Sequence, residues 1–450
     1  MKVLILSVFH PDLVRGGAQL VARELFEGLK QVPGLAPVLL ASTDRSLPAL
    51  YKSGACITGF DGRPDEFLFL TNEMDPWWHK CSDPRLVEAY AAFLEQVRPD
   101  VVHFHHFMTF GVELLTLTRR VRPGCRIVFT FHEFLAICAD DGHMVRTTDG
   151  SLCDHATPVR CHQCFPAIPP ERFFLRTAYL QAHLAAADVF TVPSQFMRAH
   201  FIRWGLPAER LVHVPNGQDK PPHAETPEAP RARRVRFGFF GQLVDAKGVW
   251  LLLRAVELLR AEGFVDFSVE INGDNLRYAS EARRAEVERF VVAELDRPAA
   301  ERIVTFNGPY HPARIGERMA RVDWCVMPSV WWESFALVIS EAWMFGRPVI
   351  APDVGGPAER VTHGRDGLLF RFADASALAE TIRRAATEPG LWERLAAGIA
   401  PPPPRAAMVA GFRALYAAAS DQSGAVTTAT RGGGPSRSRS SAAGIGRQKR

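Results

Sequence analysis

The sequence predicts an α/β protein built of two Rossmann-like domains that face a cleft. Three observations carry this. The chain has 450 residues, too many for one ordinary hydrophobic core. Short apolar runs alternate with helix-like stretches through both halves, the pattern of parallel sheets covered by helices on both faces. Between the halves, residues 218–234 read QDKPPHAETPEAPRARR, a stretch rich in proline and charge that suits a linker.

In the first half, residues 3–8 form an apolar first strand, and Gly17–Lys30 a helix with Leu20, Val21, Leu25 and Leu29 on one face. Further strands are expected at Val101–Phe104 and Val189–Val192, and at 38–41, 127–131 and 212–214. Helices are expected to end near Val97 and to span 173–187. A second alternation starts with a strand at 235–240 and continues with strands at 267–271, 303–306, 324–327, 348–351 and 368–370. Its helices are expected at 249–262, 280–294, 313–320, 337–345 and 376–386. The prolines at 401–404 break the chain before a last helix at 406–419. The expected domains are therefore 1–217, a linker 218–234, a second domain 235–400, a C-terminal helix 401–420 and a disordered basic tail 421–450.

Composition narrows the function classes. Hydrophobic residues make up 47%, aromatics 10% and charged residues 23%, the values of a soluble globular protein. No run approaches the roughly 20 apolar residues of a membrane-spanning helix. The apolar opening stops at His10-Pro11-Asp12 without a small-residue cleavage site, so a buried strand fits better than a signal peptide and the expected location is cytoplasmic. The formal charge of +4 comes from residues 422–450, where Arg431, Arg437, Arg439, Arg447, Lys449 and Arg450 stand without an acidic residue. Nucleic acid is not an expected partner, because such a protein shows its basic stripe on the folded domain.

Gly16-Gly17 lies between the first strand and first helix, where a backbone can approach a ligand and a helix N-terminus favours an anion. It is not the three-glycine dinucleotide fingerprint, since Ala18, Gln19 and Leu20 follow. In the second half, Phe240-Gly241-Gln242-Leu243 ends a strand and Lys247-Gly248 precedes a helix. There Lys247 is placed as a point charge for a phosphate, or else is a solvated loop lysine. Glu333 falls in the loop after a strand and Glu341 inside the next helix, and carboxylates facing a cleft accept hydrogen bonds from sugar hydroxyls. Between them the amides of Phe335, Ala336 and Leu337 open a helix, a site for phosphate.

At these residues the sequence resembles a known family. Pro328-Ser329, Trp332-Glu333-Ser334-Phe335, Glu341-Ala342, Gly346-Arg347-Pro348-Val349-Ile350, Gly355-Gly356 and Gly367-Leu368-Leu369-Phe370 occur in the order of the large retaining GT-B glycosyltransferase family ("glycosyl transferases group 1", family-4 type). The resemblance covers residues 1–420 and is strongest over 236–370. It implies a GT-B fold with a C-terminal helix crossing back to the first domain. It also implies a UDP- or GDP-sugar donor in the second domain and a glycan or lipid-linked acceptor in the first. Glu341 would hold the ribose hydroxyls and Glu333 the donor sugar. Lys247 and the amides after Ser334 would neutralise the diphosphate, with Gly16 and Gly17 closing over it. The family's histidine near the transferred sugar maps to His132 in Phe129-Thr130-Phe131-His132-Glu133, with His103, His105 and His106 as competitors. The resemblance implies retention of configuration, cell-surface polysaccharide synthesis and no cofactor for the chemistry.

Two positions depart from the family pattern. Gln242 stands where many relatives have Arg, giving a neutral donor in place of a phosphate clamp, and Gly273-Asp274-Asn275 replaces Gly-Asp-Gly. Two other function classes stay open: a GT-B sugar-nucleotide epimerase acting without acceptor, and a non-catalytic binding protein using its cysteines and tail.

Cys138, Cys153, Cys161 and Cys164 cluster in one segment, and Cys161-His162-Gln163-Cys164 is a C-x-x-C knuckle. They read either as a structural four-thiolate zinc site pinning an insertion at 138–170, or as four reduced thiols. The stretch 171–187 sets Phe173, Phe174, Leu175, Tyr179 and Leu180 beside Arg172 and Arg176. It would serve a peripheral contact at the inner face of a membrane, or be a core helix, which needs the same stripe.

Overall fold

The computed structural model describes residues 1–43, 54–71, 74–221 and 233–417. Most of the expected linker and the whole expected tail lie outside the described residues.

The first domain holds strands β1 (Lys2–Ser7), β2 (Ala36–Ser42), β3 (Ile57–Phe60), β4 (Arg63–Phe69), β5 (Met74–Asp75), β6 (Lys80–Cys81), β7 (Val101–Phe104), β8 (Arg126–Thr130), β9 (Val189–Val192) and β10 (Leu211–His213). Eight of them form one sheet in the order β10-β9-β8-β7-β1-β2-β4-β3, and β5 pairs with β6. The expectation of a wholly parallel sheet is corrected at its edge, where β3 runs antiparallel to β4. That hairpin escaped the sequence reading because Arg63–Phe69 mixes charge and apolar residues. Helices Glu113–Val121 and Gln195–Trp204 were also missed. The second is bounded by local chemistry: Ser194 caps its start by accepting from the Met197 amide, and Gly205 ends it at φ 112°.

The second domain is a parallel sheet of β11 (Arg236–Phe240), β12 (Ser268–Asn272), β13 (Val304–Gly308), β14 (Trp324–Val326), β15 (Val349–Pro352) and β16 (Gly367–Phe370), ordered β13-β12-β11-β14-β15-β16. β1 and β11 are flanked on both sides by parallel strands and are nearly continuous apolar runs, as strands covered on both faces must be.

The final helix, Arg405–Ala417, leaves the second domain and packs on the first. Its Met408, Val409, Phe412 and Tyr416 share a core with Val21, Leu25 and Leu29 of helix Gly17–Lys30. Arg405 adds an ion pair with Glu24. This helix returns the chain across the cleft, so the two halves are tied at both ends of the second domain.

Candidate functional site

The loops that follow parallel strands open at one end of each sheet, where α/β folds bind ligands. In the second domain three of these loops are stacked backbone on backbone. A Cβ on Gly248 would lie 1.9 Å from the Pro328 carbonyl oxygen, and one on Gly273 would lie 1.8 Å from that of Gly241. Gly248 also sits at φ 68°. Only glycine allows that approach, and it brings Lys247 to the loop carrying Glu333.

The Lys247 ammonium donates to Glu333 Oε1 at 2.6 Å, and Ser329 Oγ donates to the same oxygen at 2.8 Å. Glu333 is buried. Burial pushes its carboxyl up, but the Lys247 charge and these hydrogen bonds outweigh it and hold it below the usual carboxylate range. An ammonium has three donors, so Lys247 can serve this pair and an anion together.

The next four residues form a cradle of backbone groups. Gly356 donates its amide to the Glu333 carbonyl at 2.8 Å. Arg360 Nη1 donates to the carbonyls of Phe335 (2.9 Å) and Ala336 (2.8 Å), Nη2 reaches Ser340 Oγ, and the guanidinium lies 3.8 Å from the Phe335 ring centroid. A trans peptide directs its N–H opposite its C=O. Holding those carbonyls on Arg360 therefore turns the amides of Ala336 and Leu337 the other way, out of the helix N-terminus of Leu337–Met344. Ala336 adopts φ 61°, strained for a residue with a Cβ. The sequence alone did not single out Arg360, although it stands four residues after the Gly355-Gly356 pair.

Glu341 lies in the second turn of that helix, where burial raises its carboxyl to about 7, partly opposed by a hydrogen bond from Gln218. Gln218 is itself buried at the crossover between domains and is a second missed residue. Gln242, by contrast, is exposed.

The first domain meets this face directly. Ser334 Oγ donates to the His132 carbonyl at 2.7 Å, so its hydroxyl is committed to closing the domains. A Cβ on Gly17 would lie 3.6 Å from Leu337 Cδ1. Gly16, just before it, is the extended N-cap of the first helix. Glu359 accepts from the amides of Gln195 and Phe196 at 2.9 and 2.7 Å, capping a helix of the other domain.

His132 Nε2 is 3.0 Å from His105 Nδ1, and burial drives both rings well below the usual histidine range, so both are neutral. His105 Nε2 is buried without a partner. A bare lone pair there costs less than an orphaned N–H, which assigns the His105 proton to Nδ1 and the His132 proton to its own Nδ1. His103 drops out as a competitor. It is fully buried under the last helix, bonded to Tyr416 Oη and Thr130 Oγ1 at 2.7 Å each. His106 faces Glu133 instead, at 3.2 Å.

The four clustered cysteines form no disulfide and line a small separate cavity, and burial pushes Cys138 up to about 11 and Cys161 to about 12. A cavity of about 580 Å³ lined by Arg260, Phe267, Arg297 and Arg302 opens at the opposite ends of the second sheet's strands and holds none of the site residues. No helix among the described residues is long and apolar enough to cross a membrane.

Comparison with known proteins identifies the family and the fold. The profile "Glycosyltransferase Family 4" matches residues 15–220 and "Glycosyl transferases group 1" matches residues 234–388. A D-inositol 3-phosphate glycosyltransferase of Kribbella flavida is 25% identical over 414 residues, covering 84% of each chain. One of Streptomyces griseus is 29% identical over 212 residues, 44% of this chain and 43% of the relative, so the match spans less than half of that protein. Anabaena Alr3699/HepE, solved with UDP and glucose, superposes with a TM-score of 0.62 at 18% identity over 93% of this chain and 99% of its own, which shows the fold. The chain belongs to the group 1, family-4-type glycosyltransferases and has their two-domain GT-B fold.

Proposed function

We propose that the protein transfers a sugar from a nucleotide diphosphate sugar to a hydroxyl acceptor, with retention of configuration. The observation that carries this is the Lys247–Glu333 pair beside outward-turned amides at one helix N-terminus. In this reading the amides of Ala336 and Leu337 and the Lys247 ammonium take the diphosphate, and stabilise its charge as it departs. Glu333 holds the donor sugar, Glu341 the ribose hydroxyls, and the neutral His132 ring orients the transferred sugar from the other domain. Gly16 and Gly17 let the first helix close over the phosphates. The acceptor is a glycan or lipid-linked hydroxyl at the first domain, in cell-surface polysaccharide synthesis on the cytoplasmic side. The names of the inositol phosphate relatives favour including phosphorylated polyols among the acceptors tried. Exposed Phe174 and Leu175 beside Arg172 support a peripheral membrane contact.

The test is a thermal-shift panel of UDP-, GDP-, ADP- and TDP-sugars on the native protein and on Glu341→Ala. A donor at 100 times its dissociation constant stabilises by about 2.7 kcal/mol, a shift of several degrees. One nucleotide class should shift the native protein and not the variant. Equal shifts in both would remove Glu341 from the donor site.

A further inference from the structure

Cys138, Cys153, Cys161 and Cys164 have no part in that reading, yet all four line one cavity of about 20 Å³. They arrive from two directions. Cys138 ends a turn with its amide on the Phe134 carbonyl, and Cys153 returns through the Val145–Leu152 bridge with its amide on the Met144 carbonyl. Cys161 and Cys164 stand three apart on the short helix Pro158–Cys164, hence on one face.

The wall around them carries Arg146, Arg160 and Asp140. Arg146 pairs with Asp149 at 3.8 Å and Arg160 with Asp154 at 3.3 Å, while Arg160 Nε is buried without a partner. Behind it Arg176 is 3% exposed and bonds only neutral groups: the carbonyls of Trp77, Leu135 and Ala136, and His79 Nε2. It forms no ion pair with a carboxylate among the described residues. One of its partners, the Ala136 carbonyl, lies two residues before Cys138. A buried guanidinium needs an anion nearby. Four thiolates around one divalent cation supply a net charge of −2 from groups already in place.

The cysteine segment also touches the donor loop. Trp332 Nε1 donates to the Cys153 carbonyl at 2.9 Å, and its ring lies 4.8 Å from that of Phe196. His143 lies 5.7 Å from the Trp331 ring. We propose that the four cysteines bind one tetrahedral zinc ion, and that this ion fixes the Cys153 carbonyl on which the donor loop's Trp332 docks.

The first part stands alone; the docking role rests on the donor-site reading. Among the described residues no three of the sulfurs lie within 4.8 Å of one another, so binding draws them inward. A single χ1 change moves a sulfur by about 3 Å, enough to do so. The set that does meet that spacing, His10, Asp12 and Glu66, is already held by Arg23 and Arg63, which would repel a cation. Soft thiolates select zinc over calcium or magnesium.

The test takes the full chain from zinc-supplemented cells, dialysed without chelator, into elemental analysis. One zinc per chain is expected, released by an organomercurial as four thiols react, and lost in Cys161→Ser/Cys164→Ser. If that variant does not fold, the mercurial titration of the native protein decides. Metal-free, fully folded protein, or iron in place of zinc, would overturn the site. For the docking role, Trp332→Phe should keep its zinc while raising the donor KM about five-fold with kcat within two-fold, and zinc removal should do the same. An unchanged KM in both sinks the docking role alone. No response to any nucleotide sugar sinks the donor reading and the docking with it, and the zinc count still judges the site.

Discussion

The two halves hold their share of the cleft by different means. In the second domain the site is local: Lys247, Ser329, Glu333 and the Ala336–Leu337 amides come from loops joined by glycine close approaches, and one arginine orients the cradle. In the first domain it is assembled at long range. His132 is set by His105 from the neighbouring strand and by Ser334 from the other domain, and the strand it follows is buttressed by the last helix through His103 and Tyr416. A site of the first kind is written in consecutive residues. A site of the second kind depends on pairings no local pattern announces.

The comparison predicts that second-domain substitutions strike donor binding and first-domain substitutions strike turnover. The largest effect is expected for Lys247→Ala. It removes the proposed phosphate contact and leaves Glu333 buried without its counter-charge, so kcat/KM should fall about 1,000-fold, with donor affinity falling too. Steady-state kinetics with a calorimetric donor affinity measures both. Unchanged affinity would place the lysine outside the donor site.

His132→Ala should lower kcat about 100-fold while nucleotide affinity stays within two-fold. A matching loss of nucleotide affinity would break the proposed division between the halves. The resemblance put the role on His132, and the sequence alone could not remove His103, His105 and His106 as competitors. What separates them is burial under Phe412 and Tyr416, more than 300 residues away, which withdraws His103. The same limit explains Arg360 and Gln218: each acts through backbone direction or a crossover, and neither sits in a loop whose chemistry is legible alone. Glu333, Glu341 and Lys247 were legible because each stands close behind an apolar strand run, Lys247 in the loop after β11 and Glu333 and Glu341 in the loop and helix after β14.

Glu341→Gln should show itself through pH. The folded carboxyl titrates at about 7, above its ordinary value of 4.5. The folded protein therefore holds the proton more tightly, and stability falls as pH rises from about 4.5 through 7. Thermal melts of the native protein should decline across that window, and those of Glu341→Gln should decline less. Donor binding runs the opposite way, because ribose hydroxyls prefer the ionised carboxylate: affinity should drop up to about tenfold between pH 8 and pH 6. Parallel profiles for both proteins would assign the titration elsewhere.

The smallest effect is the sharpest test of how the cradle is held. Ala336 sits at φ 61°, where its Cβ costs about 1 kcal/mol, and glycine would relieve that strain while adding unfolded-state freedom of similar size. Ala336→Gly should thus change stability by no more than about 1 kcal/mol. If Arg360 alone directs the Phe335 and Ala336 carbonyls, the amides keep their aim and donor affinity is unchanged. Should affinity fall several-fold at unchanged stability, the alanine's own restricted backbone is what points the amides at the phosphate. The strain at that position would then belong to binding, carried in the resting fold so that it need not be generated when the donor arrives.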